Sequence, residues 1–279
     1  MLSIRELLTL RGLDTQAKIK LVRHLDQRYN VHELMRRGQL EIYQSYQSKP
    51  VFECDYVVAF VGMPDGLARL FGIFKIAGRC SANEVPLPPD FLYPDMSVND
   101  IYFYELPEMP GFEDLKHRVV IDWGKSAILW HQWLTDKDVV QILPQGYVCP
   151  FPGYLDFVLT FDELVEIIVN PIANREWHTM LSAVAAVYLI VDTKTGRQYV
   201  GSASGEHGLL GRWRDYAKTV HGGNKELRTL VESDPQYGRN FNFTVLRTLP
   251  KTLTRLEVIE YERLYKKKLG TRAFGLNSN

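Results

Sequence analysis

Between Ala186 and Gly201 the chain reads Ala-Val-Tyr-Leu-Ile-Val-Asp-Thr-Lys-Thr-Gly-Arg-Gln-Tyr-Val-Gly, and no other stretch constrains the fold as strongly. Two apolar runs flank Asp192-Thr193-Lys194-Thr195-Gly196, a polar, glycine-containing segment that reads as a hairpin turn. Strands joined this way are antiparallel neighbours, and alternate side chains along each share a face. Tyr188 on one arm and Tyr199 on the other are therefore expected side by side on one face. A glycine-rich loop from Ser202 to Gly211 then opens a helical pattern. Arg212 and Tyr216, four residues apart, project from the same side of it. Further on come a helix carrying Glu257, Glu260 and Glu262, the run Lys266-Lys267-Lys268, and a closing Gly275-Leu276-Asn277.

Taken in this order, these residues resemble the GIY-YIG nuclease family. Val187-Tyr188 stands where that family has Gly-Ile-Tyr, with Ala186 in place of the glycine, and Tyr199-Val200-Gly201 stands for Tyr-Ile-Gly. Arg212 matches the helix arginine, Tyr216 the tyrosine or histidine one turn later, Glu262 the metal-binding glutamate and Asn277 the closing asparagine. The resemblance covers residues 180–279 and says nothing about the first 175. It implies a small mixed sheet flanked by helices, a Mg2+ (or Mn2+) cofactor held by Glu262, and double-stranded DNA as substrate.

The chemistry of phosphodiester hydrolysis matches the residue types. A water must lose a proton, and the negative charge at phosphorus and on the leaving oxygen must be met. Tyr188 is the candidate base. A phenol has a reference pKa near ~10, so cations must lower it, and Arg212 with a divalent metal is the expected source of that field. Arg212 stays charged and is suited to grip two phosphate oxygens. Tyr199 is expected to orient water or phosphate, and Tyr216 to contact the phosphate or nucleophile, as the resemblance implies. Asn277 is expected to bond a catalytic tyrosine through its amide. A single glutamate suits one hydrated magnesium ion rather than a two-metal clamp. Glu257 and Glu260 read as surface ion-pair partners. His221, Lys225, Lys266 and Lys267 are candidate DNA contacts, although a lysine run is also an ordinary solvated face.

Charge is distributed unevenly. From His178 to Asn279 there are 16 Lys and Arg against 9 Asp and Glu, a balance of +7, so the remainder carries −7. The basic part suits a polyanion. The three cysteines, Cys54, Cys80 and Cys149, form no close pair, which argues against a disulfide framework or zinc knuckle and for small core residues in a reducing cytoplasm. The longest apolar run, Ala183 to Val191, is too short for a bilayer.

Residues 1–48 read as helical: Ile19, Leu21, Val22 and Leu25 recur at helical spacing after Asp14-Thr15, a candidate N-cap, and a short helix near His32–Arg37 ends at Gly38. Residues 49–175 read as a β-rich recognition domain. Strands are expected at Tyr56–Val61, Leu70–Ile76, Ile101–Leu106, Val119–Trp123, Ile128–Leu134 and Val139–Leu143, with Gly/Pro turns between them. Such spacing argues for a small barrel or curled sheet, in outline similar to PUA-like readers of modified bases. Trp123, Trp130 and Trp133 are candidates for a base-stacking pocket, or else fill the barrel core. A helix is expected at Phe161–Ile168, and the domain boundary within 170–183.

The expectation is an α+β protein with a helical N-terminal segment, a barrel-like region and a GIY-YIG-type nuclease domain. Its expected activity is Mg2+-dependent DNA cleavage in a restriction-type role, site-specific or modification-dependent, with a homodimer suited to double-strand cuts. The alternatives are a repair or mobile-element endonuclease and a non-catalytic nucleic-acid-binding protein.

Overall fold

The computed structural model describes residues 2–124 and 129–277, and the chain divides into two compact units, Met1–Leu143 and Pro144–Asn279. The architecture is α+β.

Unit 1 runs α1 (Ile4–Leu10), β1 (Ile19–His24), α2 (Val31–Arg36), α3 (Leu40–Ser45), β2 (Tyr46–Gln47), β3 (Tyr56–Gly62), β4 (Leu67–Lys75), β5 (Gly78–Ser81), β6 (Tyr102–Glu105), β7 (Val119–Asp122), β8 (His131–Trp133) and β9 (Val139–Ile142). Ser3 and Glu6 close a reciprocal capping box at the start of α1. A six-stranded sheet has the order β8-β1-β3-β4-β7-β9, and β2, β6 and β5 form a smaller sheet. β1 pairs in parallel with β3; the other pairings are antiparallel.

Two expectations are corrected here. Ile19–His24 is a strand, not a helix. Ile19 and Leu21 enter one core and Val22 the other, so both faces of β1 are buried. A strand buried on both sides reads as a continuous apolar run, which periodicity cannot separate from a helix. The sheet is also open, not a closed barrel: β8 and β9 are its two outer strands and do not pair with each other. The expected strand from Ile128 begins at a residue outside those described; its remainder forms β8.

Unit 2 runs β10 (Leu159–Thr160), α4 (Phe161–Val169), α5 (Arg175–Ala183), β11 (Ala185–Asp192), β12 (Gln198–Ala203), α6 (Gly208–Thr219), α7 (Lys225–Ser233), β13 (Phe241–Leu249), α8 (Arg255–Leu269) and α9 (Thr271–Phe274). Its antiparallel sheet has the order β10-β13-β11-β12. Residues 144–175, grouped in the sequence with the β-rich region, fold in this unit: Leu164 and Ile167 of α4 share a core with Trp177, Tyr188 and Trp213. On the other face Val187 and Val200 pack with Val258 of α8.

β11 and β12 form the expected hairpin, with Tyr188 paired to Gly201 and Ile190 to Tyr199. Gly196 takes a positive φ in its turn. Asp192, fully buried at the turn, accepts bonds from the Lys194 amide at 3.0 Å and the Tyr237 hydroxyl at 2.9 Å. The two tyrosines share a face but are offset by two residues in register rather than directly opposed. Among the described residues no helix is long and apolar enough to cross a membrane. Cys54, Cys80 and Cys149 form no disulfide and are half-buried, with Cys149 packed against the core of unit 2 and Cys54 against one of unit 1.

Candidate active site

Strand alternation decides which groups meet. Tyr188, Ile190, Tyr199 and Gly201 face α6, whereas Val187, Val200 and Ser202 face α8. Gly201 lets the Tyr188 ring cross the neighbouring strand: a methyl there would lie 2.5 Å from Tyr188 Cζ.

Arg212 and Tyr216 meet Tyr188 from α6. Arg212 Nε donates to the Tyr188 hydroxyl at 3.0 Å and Nη2 to the Tyr216 hydroxyl at 3.2 Å, and the two phenol oxygens lie 3.1 Å apart. Nη1 donates to the Gly222 carbonyl at 2.7 Å. The guanidinium carbon lies 4.8 Å from the Tyr216 ring centroid, a cation–π contact. Gly222 has φ +53, and a methyl on it would lie 2.6 Å from the Tyr216 ring. Glycine is thus required both for the turn after α6 and for the close approach that brings its carbonyl to Arg212.

Burial sets the charge state of this trio. It pushes the Tyr188 phenol well above its usual range, with Tyr199 adding to the shift and the Arg212 charge opposing it. Tyr216 is raised in the same way, first by burial and then by its neighbour Tyr188. Burial works against the Arg212 charge too, but the two phenols more than offset it and hold the guanidinium firmly protonated. The expectation that cations lower the Tyr188 pKa is therefore corrected for the free protein: desolvation outweighs them.

Glu262 comes from α8. Its Oε1 lies 2.7 Å from Lys266 Nζ, and its Oε2 accepts a very short hydrogen bond from Ser202 Oγ. A cleft of about 800 Å³ joins the two sets of groups: Tyr188, Tyr199 and Arg212 border it together with Ser202, Glu262 and Lys266. It runs along β12, the outer strand of the sheet, with the phenols and guanidinium on one side and the carboxylate on the other. Arg255, Arg263 and Arg272 also border it, giving five Arg and Lys against three Asp and Glu.

Several expected roles change. Tyr216 is fully buried and does not border the cleft; its hydroxyl meets Arg212 and Tyr188 instead. Asn277 bonds no tyrosine hydroxyl. Its side chain grips the β12 backbone at two points, accepting from Val200 N at 2.9 Å and donating to Val200 O at 2.8 Å. Lys266 is buried and paired with Glu262 rather than solvated, and it borders the cleft. Lys225 and Lys267 are exposed. His221 accepts the Gly223 amide through Nδ1 at 2.9 Å. Glu260 pairs with Arg263 as expected, but Glu257 caps α8 by bonding Thr254. In unit 1 the tryptophans form no cage. Trp123 is fully buried and packs on Phe60, while Trp133 is exposed beneath Lys20. Of the three, Trp130 alone borders a cleft of about 620 Å³, with Tyr29 and Tyr43. Ser202, Gly222 and the Glu262–Lys266 pairing escape sequence reading. Ser202 directly follows Tyr199-Val200-Gly201 but faces the opposite side of the strand, so only the position of α8 reveals its role.

The divalent ion implied by the resemblance can be tested against these donors. Among the described residues no group of three or more His, Cys, Asp and Glu is placed to hold a metal. Glu262 alone, completed by water and phosphate oxygens, is a donor set that magnesium accepts. A carboxylate has about four lone-pair sites, so the Ser202 and Lys266 bonds leave acceptor capacity. The residues fit such an ion, with the Lys266 ammonium as a competing charge.

No family model matches the chain, and no curated protein matches it. Two solved structures are similar to part of it. One is a mutant of the catalytic domain of the intron endonuclease I-TevI, at 24% identity over 34% of this chain and 94% of that domain, with a TM-score of 0.28. The other is the catalytic domain of the homing endonuclease I-TevI, at 26% identity over 33% of this chain and 96% of that domain, with a TM-score of 0.26.

Proposed function

We propose that unit 2 is a divalent-metal-dependent endonuclease that hydrolyses phosphodiester bonds in double-stranded DNA, and that unit 1 selects the target, as in restriction-type defence. The observation that carries this is the Arg212 guanidinium, held by two phenols and a carbonyl on the wall of a cleft that also exposes Glu262. Arginine has five N–H donors, and three are engaged here. The two left, one on each terminal nitrogen, suit paired contact with phosphate oxygens, which would compete with the Asp215 carboxylate 3.7 Å from Nη1.

Glu262 would hold the metal, which when bound lowers the pKa of its water and screens the phosphate. Arg212 meets the charge that builds on the phosphoryl oxygens. Tyr216 and Gly222 fix the guanidinium plane before substrate arrives, and Asn277 fixes the strand that carries Tyr199. To the Tyr188 hydroxyl we assign the ordering of the water and acceptance of its proton. As it is a neutral phenol near pH 7, it acts as a base through its minor phenolate form. For unit 1 the support is the cleft bordered by Tyr29, Tyr43 and Trp130, whose rings offer a base stacking surfaces.

The test is nicking of supercoiled plasmid and of genomic DNAs with and without base modifications, in Mg2+ or Mn2+, with the cut ends sequenced. The wild type should cut; Arg212→Ala should lower the rate ~100-fold or more, and Glu262→Gln should abolish it. Trp130→Ala should weaken target choice while leaving Mn2+-driven nicking intact. If the wild type binds DNA but cuts no substrate, the nuclease reading falls and a non-catalytic binding protein takes its place.

A further inference from the structure

We infer that Lys266 occupies the charge position on Glu262 that a divalent cation takes during catalysis, so that metal uptake is coupled to arrival of the substrate phosphate. This rests on the nuclease reading of unit 2 and adds to it how the metal site is regulated.

Oppositely charged side chains three or four residues apart on a helix commonly pair in solvent and contribute little. The neighbouring Arg263–Glu260 pair on α8 is of that kind, with side chains 60% and 70% exposed. Lys266 and Glu262 are different, at 6% and 17% exposed. Lysine is almost never buried this far unless paired, and water screens little at that depth. The carboxylate is held on both oxygens, by Lys266 and by Ser202 from β12. It nevertheless borders the cleft with Tyr188 and Arg212.

A cation bound to Glu262 would therefore sit beside a fixed ammonium, and the two charges repel. At a separation of ~4 Å and an effective dielectric of ~20, a unit charge alters affinity by tenfold or more. A phosphate in the cleft relieves the conflict, because it brings negative charge that the ion and the ammonium can share. By linkage, whatever factor DNA adds to metal affinity, the metal adds to DNA affinity. Lys266 is a positioning residue in this scheme: it keeps the Glu262 carboxylate aimed while no ion is bound.

The experiment is titration of the full chain with Mn2+ in the absence of DNA, reading free Mn2+ by electron paramagnetic resonance. Lys266→Met, close in shape and uncharged, should bind Mn2+ at least about tenfold more tightly than wild type. Lys266→Arg should stay near wild type, and Glu262→Gln should remove the site in either background. Thermal melting checks the fold of each variant, and Lys266→Gln carries the same test if the methionine variant melts early. The inference is overturned if the uncharged variant binds Mn2+ no more tightly than wild type, or if the gain survives Glu262→Gln. Plasmid nicking, run in parallel, separates the two readings. A wild type that cuts while Lys266→Met gains no Mn2+ affinity sinks the inference alone. A wild type that never cuts sinks the nuclease reading whatever the titration shows.

Discussion

Tyr188 lies across Gly201 with no space between them, since even Cβ of an alanine would sit 2.5 Å from the ring carbon bearing the hydroxyl. The ring is wholly buried and its oxygen is tied to Arg212 and Tyr216, so it has nowhere to retreat without breaking that cluster. Gly201→Ala should destabilise unit 2 by about 1–3 kcal/mol in urea melts, as overpacking does, and should lower nicking activity further than the fold loss explains. The raised Tyr188 pKa gives a second expectation. With the phenol largely protonated at neutral pH, the fraction able to accept a proton grows as pH rises. The single-turnover rate of cleavage should therefore climb about tenfold per pH unit between roughly pH 6 and 9. A flat profile over that range would remove Tyr188 from the role of base.

Element by element, β12 shows how an edge strand is made to hold still. One side pairs with β11; along the other the closing segment lies against it, with the Leu276 amide donating to Gln198 O at 2.7 Å and Asn277 bonding both polar groups of Val200. Asn277→Ala should cost about 1–3 kcal/mol and raise hydrogen exchange at the Val200 amide selectively, with a fall in nicking rate and little change in DNA affinity. A uniform rise in exchange across unit 2 would mean that Asn277 serves the whole fold instead. The hairpin, its turn, α4, α6 and α8 were legible because their apolar spacing and caps are local. The strand nature of Ile19–His24 was not, because partners on both sides, β8 and β3, come from distant sequence. The curled-sheet expectation shared this limit: strand count is local, closure is not. Asn277 bonds the β12 backbone and not a tyrosine, since its target depends on which strand the tail meets, and Trp123 takes the core-filling alternative that the sequence left open.

Across the whole molecule, the acid response should be set by unit 1. His24 is 4% exposed, and burial lowers its pKa from 6.5 to about 4, the bond to Gln44 opposing this. His117 is lowered to about 4 by burial as well, with Arg69 and Lys116 contributing. A base whose folded pKa lies below its unfolded value is charged first in the unfolded chain. Protons then favour unfolding as pH falls from 6.5 towards 4, and stability rises with pH over that window. For His24 the full effect is about 3 kcal/mol. Melting at pH 7 and pH 5 should show this loss, and His24→Asn should show a smaller one; equal losses would place the acid sensitivity elsewhere. The uneven charge visible in the sequence has its counterpart in the cationic rim of the unit 2 cleft, although Arg255, Arg263 and Arg272 acquire that meaning only once α8 and α9 are in place.

The backbone of β12 works as a partition. Among the described residues the Tyr188–Arg212–Tyr216 cluster and the Ser202–Glu262–Lys266 cluster share no hydrogen bond or ion pair across it, so each set should be alterable without unsettling the other. In the resting protein the stability costs of changes on the two sides should simply sum. Only a phosphodiester lying over the rim engages both compartments at once, and with it bound the same pairs of changes should cease to be independent.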